Sequence, residues 1–319
     1  MILAPMQGLT ELLFRRVYEE CFPGAIRLAM TPFLSLTHNL HNLLADGTQS
    51  STLKHFMRDV LPEANRGSIP ITPQILGKEP EEFVALGNRL YDMGYSEVNW
   101  NIGCPMRNIT GKHRGSGILP YPDEVKAVLD GVIPKLKPRL SVKMRIGLRQ
   151  KEDIFALVPV LNDYPLASVT IHPRLGRQQY TGVPDMETFA QVLPMIIHPV
   201  IYNGDITNVG DVQRIKKTYP KVADIMVGRG ILYRPTLPLE AEGHVLNEDE
   251  WLTATKHFIM RLYEETKATA PTAESAIRKT KEYWCMLWRG LPISEAEARK
   301  VLREQELTAV DKLIHSFIQ

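Results

Sequence analysis

The chain has 319 residues, of which 44% are hydrophobic and 23% charged, and its formal net charge at pH 7 is +2. This composition excludes a disordered chain, a collagen and a coiled coil, and the near-balanced charge does not mark a general nucleic-acid binder. The apolar runs are too short for a membrane span and the opening residues lack a secretory-signal pattern, so we expect a soluble, cytoplasmic protein with no membrane partner.

Short β-rich segments recur along the first three quarters of the chain, and each is followed by a stretch with helical spacing of apolar residues. Eight such segments begin at Ile2, Ile26, Ile71, Glu97, Ser141, Ser168, Pro199 and Asp224. Eight alternations over about 240 residues predict an α/β fold, a (β/α)8 TIM barrel. An open doubly wound sheet is the alternative, although it usually has fewer strands and a GxGxxG turn after the first, where this chain has LAPMQG.

The β signals disappear after about residue 242, and helix-start signals replace them. Three pairs look like capping boxes, namely Asn247 with Glu250, Ser294 with Glu297, and Thr308 with Asp311, and a further helix is predicted from about Thr272. We therefore predict a barrel domain over residues 1–242 and a small helical-bundle domain over residues 243–319.

Polar residues close the predicted strands, at the barrel end where TIM-barrel enzymes hold their reactive groups. They are Gln74, Asn101, Cys104, Lys143, Arg145, His172, Arg174, Asn203, Gly204, Asp205, Gly228 and Arg229. Such side chains converging on one mouth need partners when buried, and a polar planar cofactor could supply them.

Glycines follow the seventh and eighth predicted strands, where a phosphate site is frequent in this fold. Gly204 and Gly228 could turn backbone N–H groups towards a phosphate, and Arg229 would add a fixed cation. Two ordinary tight turns are the alternative interpretation.

Lys143 lies inside an otherwise apolar strand, so its side chain must either extend outwards to solvent or meet an anion or carbonyl inside the barrel. Its spacing of two from Arg145 puts both side chains on one strand face, which favours a common inward site. His172, at the end of the sixth strand, could orient a ligand or only complete a core hydrogen bond.

Cys104 lies in a turn bounded by glycine and proline, directly after a strand and before a loop rich in cations and glycines. We predict a functional thiol here. A thiol pKa of about 8.5 leaves it mostly protonated near neutrality, so it could act as an acid or as a nucleophile. Cys21 and Cys285 are interpreted as small buried hydrophobes, and the three cysteines indicate neither disulfides nor a metal site.

Basic residues form local clusters. They are Arg107, Lys112, His113 and Arg114 after the cysteine, Arg174 and Arg177 after the sixth strand, and Arg278, Lys279 and Lys281 in the tail. Solvated surfaces explain many such clusters, but three that could border one mouth favour an extended polyanion.

With these residues in place, the chain resembles the bacterial tRNA-dihydrouridine synthases over almost its whole length. The motifs that carry the resemblance are LAPMQG at Leu3, PQILG at Pro73, NWNIGCP at Asn99, SVKMRIG at Ser141, IHPRLGRQQY at Ile171, YNGDI at Tyr202, VGRGIL at Val227 and AIRKTKEYW at Ala276. The resemblance implies reduction of a D-loop uridine to 5,6-dihydrouridine, and the compact length is similar to that of the subgroup acting on position 16. Met106 is a departure, since the family usually has serine there, as are Lys112, His113 and Arg114, where small residues are common.

The resemblance also implies site roles. FMN would be bound by Pro5, Met6, Gln74, Lys143, His172, Asn203, Gly204, Asp205, Gly228 and Arg229. NADPH (or NADH) would reduce FMN, and the flavin N5 would deliver hydride to C6 of the uracil while Cys104 protonates C5. Asn101 and Arg145 would contact the uracil, and the basic residues assigned to tRNA are Arg107, Lys112, Arg114, Arg174, Arg278, Lys279 and Lys281. A monomer is expected.

Two other functions remain open on the sequence. One is an FMN barrel of the dihydroorotate dehydrogenase kind acting on a free pyrimidine, which would need no basic tail. The other is a non-catalytic RNA-binding protein on the same scaffold.

Overall fold

The computed structural model of the chain describes residues 1–36 and 51–318. Ten strands form one parallel sheet. They are β1 (Ile2–Leu3), β2 (Leu28–Met30), β3 (Leu34–Ser35), β4 (Ile71–Thr72), β5 (Gln74–Leu76), β6 (Glu97–Ile102), β7 (Arg139–Gly147), β8 (Val169–Leu175), β9 (Val200–Asn203) and β10 (Val222–Val227).

The sheet closes on itself. β10 pairs with β1 at Ile2↔Met226, β1 pairs with β2, and β2 pairs with β4. The chain continues from β4 into β5 through Pro73 alone, and β5 pairs onward with β6. Because proline has no N–H to donate, it interrupts this third barrel strand without ending it, and its carbonyl still accepts from the Asn99 N–H at 2.9 Å. The TIM barrel is thus confirmed, with one predicted strand split in two and β3 as an extra segment that the sequence did not indicate.

Helices follow the strands on the outside of the barrel and continue beyond it. They are α1 (Leu12–Cys21), α2 (Ser51–Met57), α3 (Pro80–Asp92), α4 (Arg107–Thr110), α5 (Pro122–Val132), α6 (Asp153–Asn162), α7 (Met186–Val192), α8 (Val209–Thr218), α9 (Arg229–Tyr233), α10 (Leu237–Ala241), α11 (Glu248–Thr269), α12 (Ala273–Leu287), α13 (Glu295–Arg303) and α14 (Leu307–Ile318).

The tail helices share a core with the barrel. Phe258 of α11 packs edge-on against Phe14 and Tyr18 of α1, with ring centroids 5.5 and 5.7 Å apart, and all three rings are buried. Aromatic burial of this kind contributes a large apolar area, so the tail is held against the outside of the barrel.

The predicted helix starts are confirmed at three of the four positions. Asn247 and Ser294 cap α11 and α13 in capping boxes with the predicted glutamates, and Thr272 caps α12 by accepting from the Ser275 N–H. The fourth predicted helix is present as α14, but it begins at Leu307, so Thr308 and Asp311 lie inside the helix and do not cap it as predicted. The Asp311 carboxylate instead accepts from the hydroxyl of Tyr263 and the ammonium of Lys267.

Within residues 1–36 and 51–318, no helix combines the length and apolarity that crossing a membrane requires. The same residues contain no group of three or more His, Cys, Asp or Glu side chains placed to hold a metal ion.

Candidate active site

Strand pairing brings the predicted polar residues to the carboxyl end of the barrel. Asn101 of β6 is the partner of Lys143 on β7, and Arg145 is the partner of His172 on β8. Next to them, Asn203 of β9 is aligned with Met226, two residues before Gly228. Since every strand is parallel, these positions surround one mouth.

A chain of carboxamides links β5, β6 and β7 inside the barrel. The Gln74 Nε2 donates to the Asn99 Oδ1 at 2.9 Å, and the Asn99 Nδ2 donates to the Ser141 hydroxyl at 3.0 Å. The Asn101 Nδ2 donates to the Gln74 Oε1 at 2.7 Å. Gln74, predicted as a cofactor contact, is thus wholly buried and engages both ends of its amide within the protein.

Asn101 shapes the turn that carries the thiol. Its Oδ1 accepts from the backbone N–H of Gly103 at 3.0 Å and from that of Cys104 at 2.9 Å, so one short side chain satisfies two turn donors. On the other side of the turn, the Cys104 carbonyl accepts from the Ser116 N–H at 2.9 Å. A Cβ on Gly115, whose φ is +55°, would lie 2.6 Å from that carbonyl oxygen, so only glycine fits here.

The environment of Cys104 keeps its thiol protonated. Burial is the largest influence and raises the pKa of the thiol above its ordinary value, although the Met106 N–H and the charges of Arg145 and Lys143 act in the opposite direction. A thiol that stays protonated near neutrality can donate a proton, which favours the acid role over the nucleophile role.

The Lys143 side chain points into the barrel, which decides between the two orientations that the sequence allowed. Its Nζ donates to the Asn203 Oδ1 at 2.9 Å, and the Asn203 Nδ2 donates to the Met226 carbonyl at 2.9 Å. Burial is the main cause that lowers the pKa of Lys143 to about 7, and the neighbouring Arg145 charge acts in the same direction. An ammonium has three donors, and within the described part of the chain this one has a single hydrogen-bond partner, so it is suited to an anionic or carbonyl ligand at the mouth.

Arg145 is buried and ties two strand-end loops together. Its Nε donates to the Gly103 carbonyl at 3.0 Å and its Nη1 to the Leu175 carbonyl at 2.9 Å. Two guanidinium groups lie near the exposed ring of Tyr180, that of Arg145 at 5.6 Å and that of Arg229 at 5.4 Å from the ring centroid. The sequence analysis assigned no role to Tyr180, although this residue closes the IHPRLGRQQY motif in the loop after the sixth predicted strand.

The Asp205 carboxylate forms salt bridges with two arginines. Arg174 donates to both of its carboxylate oxygens, at 2.8 and 2.6 Å, and Arg229 donates to one at 2.9 Å. Burial pushes the Asp205 pKa up, but the Arg174 hydrogen bonds and the two positive charges outweigh it and hold the pKa below its usual value. The expectation that Arg174 belongs to a basic cluster that contacts RNA is wrong, because its side chain is 1% exposed and forms a bidentate salt bridge with the half-buried Asp205 carboxylate.

His172 is neutral in this setting. The Arg174 Nη1 lies 3.1 Å from the His172 Nε2, and since arginine can only donate, Nε2 accepts and Nδ1 carries the hydrogen. Burial first, and then the surrounding positive charges, lower the His172 pKa well below its usual value.

The loop after β1 lies beside the loop after β10. The Met6 N–H donates to the Thr10 hydroxyl at 2.8 Å, and a Cβ on Gly228 would meet the Met6 sulfur at 3.6 Å. Pro5 precedes this turn and is half-buried, and a Cβ on Gly204 would lie 3.2 Å from the Tyr202 hydroxyl oxygen. The mouth therefore offers a buried cation, a neutral imidazole and backbone turns on adjacent strands, a donor set that fits a planar, polar cofactor bearing a phosphate.

The basic residues assigned to RNA divide into free and engaged groups. Arg107, Lys112 and Arg278 are exposed and Lys281 is half-buried. Arg114 instead forms an ion pair with Glu79 and donates to the Leu36 carbonyl, and only 15% of its side chain is exposed.

Lys279 is likewise engaged within the protein. Its Nζ donates to the Gly8 carbonyl at 2.7 Å and to the Glu11 carboxylate at 2.9 Å. It therefore joins α12 to the loop after β1 and does not project from a free basic surface.

Comparison with known proteins gives a family and a fold. The family model described as "Dihydrouridine synthase (Dus)" matches residues 2–306. A protein of Aquipseudomonas alcaligenes named tRNA-dihydrouridine(16) synthase is 25% identical over 319 residues, and the alignment covers 98% of each chain. A protein of Rhodobacter capsulatus named probable tRNA-dihydrouridine synthase is 27% identical over 230 residues, covering 72% of this chain and 66% of that protein.

Among solved structures, the old yellow enzyme from Trypanosoma cruzi is similar with a TM-score of 0.54. The match covers 81% of this chain and 93% of that one, at 12% sequence identity. At this identity the likeness concerns the fold alone.

Proposed function

Because the chain belongs to the dihydrouridine synthase family, we propose that it is a flavin-dependent oxidoreductase that reduces a uridine in the D loop of tRNA to 5,6-dihydrouridine. The observation that carries the proposal is the pairing of Asn101 with Lys143 on β6 and β7. This pairing puts a turn bearing a protonated thiol beside a buried ammonium at the carboxyl end of the barrel.

The proposed cofactor is FMN, with NADPH as the reductant. The chemistry that FMN supplies when bound is hydride delivery from N5 to C6 of the uracil ring. Lys143 is suited to a ligand atom that gains negative charge on reduction, because its ammonium points into the barrel and donates to Asn203 as its one partner among the described residues. Arg229, His172 and the backbone beside Gly204 and Gly228 complete the proposed binding set.

Cys104 is proposed to protonate C5 of the uracil. The new C5–H bond takes the thiol proton while C6 takes the hydride, so the C5=C6 double bond becomes single and the thiolate recovers a proton from solvent. The raised pKa of the Cys104 thiol supports this role, because the proton is still present near neutral pH. Asn101 and Arg145 hold the same turn through Gly103 and Cys104, which fixes the position of the sulfur before the base arrives.

The proposed substrate is folded tRNA, so the target base must leave its stack to reach the mouth. The exposed cations Arg107, Lys112 and Arg278 are suited to backbone phosphates, which position the RNA without reading its sequence. Position 16 is the proposed target, in view of the full-length alignment with the relative named tRNA-dihydrouridine(16) synthase.

The test is formation of dihydrouridine by the purified holoprotein. We expect a yellow protein that NADPH bleaches, and unmodified tRNA should then gain one dihydrouridine, read by mass spectrometry and mapped by position. Preferred reduction of free uracil or orotate would contradict the proposal in favour of a free-pyrimidine enzyme. A colourless protein that binds tRNA but takes up no FMN would contradict it in favour of a binding protein.

A further inference from the structure

A groove lined by several charged side chains lies beside the mouth, between the loop after β7 and the loop after β8. We call it the rim groove, and it has a volume of about 370 Å³. Its lining residues are Ile146, Arg149, Gln150, Lys151, Glu152, Leu175, Arg177, Gln178 and Asp185.

The two loops that form the rim groove are fixed against each other. The Arg177 N–H donates to the Leu148 carbonyl at 2.9 Å, and the Leu148 N–H donates to the Asp153 carboxylate at 3.0 Å. A Cβ on Gly147 would lie 1.9 Å from the Gln150 carbonyl oxygen, so this tight turn requires glycine. The groove is therefore formed before any ligand binds.

The cations of the rim groove are free to bind a ligand. Arg149, Lys151 and Arg177 are exposed, and among the residues that the structure describes, none of their side chains forms a salt bridge or a hydrogen bond. The Asp185 carboxylate faces them but is already used, since it accepts from the Thr188 N–H at 2.9 Å and from the Thr188 hydroxyl at 2.8 Å. Glu152 is a second carboxylate of the groove, so three cations face two carboxylates and the positive charge is in excess by one.

The rim groove shares a wall with the thiol site. The Leu175 carbonyl that accepts from Arg145 belongs to a groove residue, and Ile146 directly follows Arg145 in β7. A ligand that fills the mouth and continues towards β7 and β8 must pass over the groove.

We propose that the rim groove binds a backbone phosphate of the RNA substrate, close in sequence to the base held at the mouth; the proposal rests on the proposed function above. The chemistry favours an RNA phosphate over a dinucleotide phosphate. Dinucleotide phosphates are usually held by backbone N–H groups at a glycine-rich helix start, whereas α6 starts with the acidic Glu152 and Asp153. Long exposed cations on a preformed rim are typical of contacts that position a nucleic acid backbone.

The test uses the FMN-loaded protein and a triple variant, Arg149→Gln, Lys151→Gln and Arg177→Gln. The matched control is Lys216→Gln, Lys217→Gln and Lys221→Gln, which also removes three exposed charges but at the amino end of the barrel, between the last turn of α8 and β10. The dissociation constant for unmodified tRNA is measured between about 50 and 200 mM salt, a range over which phosphate contacts change affinity strongly. NADPH bleaching of the flavin is timed without RNA.

We expect the groove variant to bind tRNA about tenfold more weakly or worse, with the salt slope reduced by about 1 for each phosphate that the protein no longer neutralises, and the control to match the wild type. Unchanged tRNA affinity with slower NADPH bleaching would overturn the proposal and assign the groove to the dinucleotide. Unchanged affinity and unchanged bleaching would overturn it outright. Failure of the wild type to bind tRNA or form dihydrouridine would instead overturn the proposed function, and the groove proposal with it.

Discussion

The Lys279 Nζ on α12 lies 2.9 Å from the Glu11 carboxylate, in the loop between β1 and α1. Glu11 also accepts from the Gly8 N–H at 3.2 Å, and Lys279 donates to the Gly8 carbonyl. Lys279 of the tail helix therefore contacts the Gly8 carbonyl directly and the Gly8 N–H through Glu11, in the loop that follows Pro5 and Met6. These hydrogen bonds link the helical tail to the proposed flavin site.

Lys279→Met should destabilise the protein by about 1 to 2 kcal/mol at neutral pH, since the variant cannot make the charge-assisted hydrogen bonds to a partly buried carboxylate. Burial raises the Glu11 pKa, but Lys279 and Arg58 outweigh it and keep the pKa lowered in the folded state. A lowered folded pKa gives stability above the unfolded pKa of about 4.5 that is lost as the pH falls, so the difference between variant and wild type should shrink in acid. Urea unfolding at several pH values measures this. Arg278→Met, its exposed neighbour, should leave stability within about 0.5 kcal/mol, and equal losses for both variants would contradict the assignment.

Cys104→Ala should keep flavin and tRNA binding but lose turnover by about 100- to 10,000-fold, the range that a general acid usually contributes. Dihydrouridine formation under single-turnover conditions measures the loss. The control is Cys285→Ala, a half-exposed cysteine on α12 whose thiol donates to the Glu282 carbonyl and has no assigned role in the reaction, and this variant should be fully active. Undiminished turnover by the Cys104 variant would remove the acid role.

Substitutions at Asn101 test whether its side chain positions the Cys104 thiol, independently of proton transfer to the uracil. Asn101→Ala leaves the Gly103 and Cys104 N–H groups without their acceptor, so the turn should loosen and Cys104 should react faster with an alkylating reagent in the absence of RNA. Asn101→Asp keeps an acceptor oxygen for both N–H groups, loses the donor to Gln74 and adds a negative charge beside the thiol, which disfavours the thiolate. Its alkylation rate should therefore not exceed that of the wild type. Equal alkylation rates in the alanine variant and the wild type would show that this side chain does not hold the turn.

Most of the barrel could be predicted because its signal is local. Each strand carries its own apolar residues and each helix its own periodicity, and three of the four predicted tail-helix starts needed only residues within one turn. The split at Pro73 has a local cause in the proline itself, whereas the short β3 is defined by its pairing with β5, which no local window contains.

The roles of the charged residues were harder to predict, since a sequence shows a cation but not the acid it meets. Arg174 pairs with Asp205, which is 31 residues away in the sequence. Lys279 pairs with Glu11, which is 268 residues away. Both were assigned to RNA because their neighbours in sequence are basic. The inward orientation of Lys143 was favoured by its spacing from Arg145, but Asn203, which fixes it, comes from a strand that is not adjacent.

Lys143 should make the flavin-free protein more stable as the pH rises. Its pKa is lowered to about 7 in the folded state and is about 10.4 when unfolded, so between these values the unfolded chain binds more protons and stability increases with pH. Lys143→Met should flatten that slope and raise stability at pH 7, while weakening FMN binding. Urea unfolding midpoints measured from pH 6 to 9 test this prediction. Identical slopes of stability against pH in the variant and the wild type would show that Lys143 does not cause the pH dependence.

Asp205→Ala and Arg174→Met remove opposite partners of one ion pair, and the two variants should lose different amounts of unfolding free energy. The aspartate variant leaves the Arg174 guanidinium, 1% exposed, without a countercharge, whereas the arginine variant leaves a carboxylate that is 34% exposed and still bound by Arg229. An unpaired buried charge costs about 3 to 5 kcal/mol, so Asp205→Ala should approach that loss and Arg174→Met should fall below it. Asp205→Asn keeps an acceptor for Arg174 and should lie between them. Urea unfolding gives the order, and a larger loss for Arg174→Met than for Asp205→Ala would mean that the arginine, through packing or through its bond to His172, does more than neutralise Asp205.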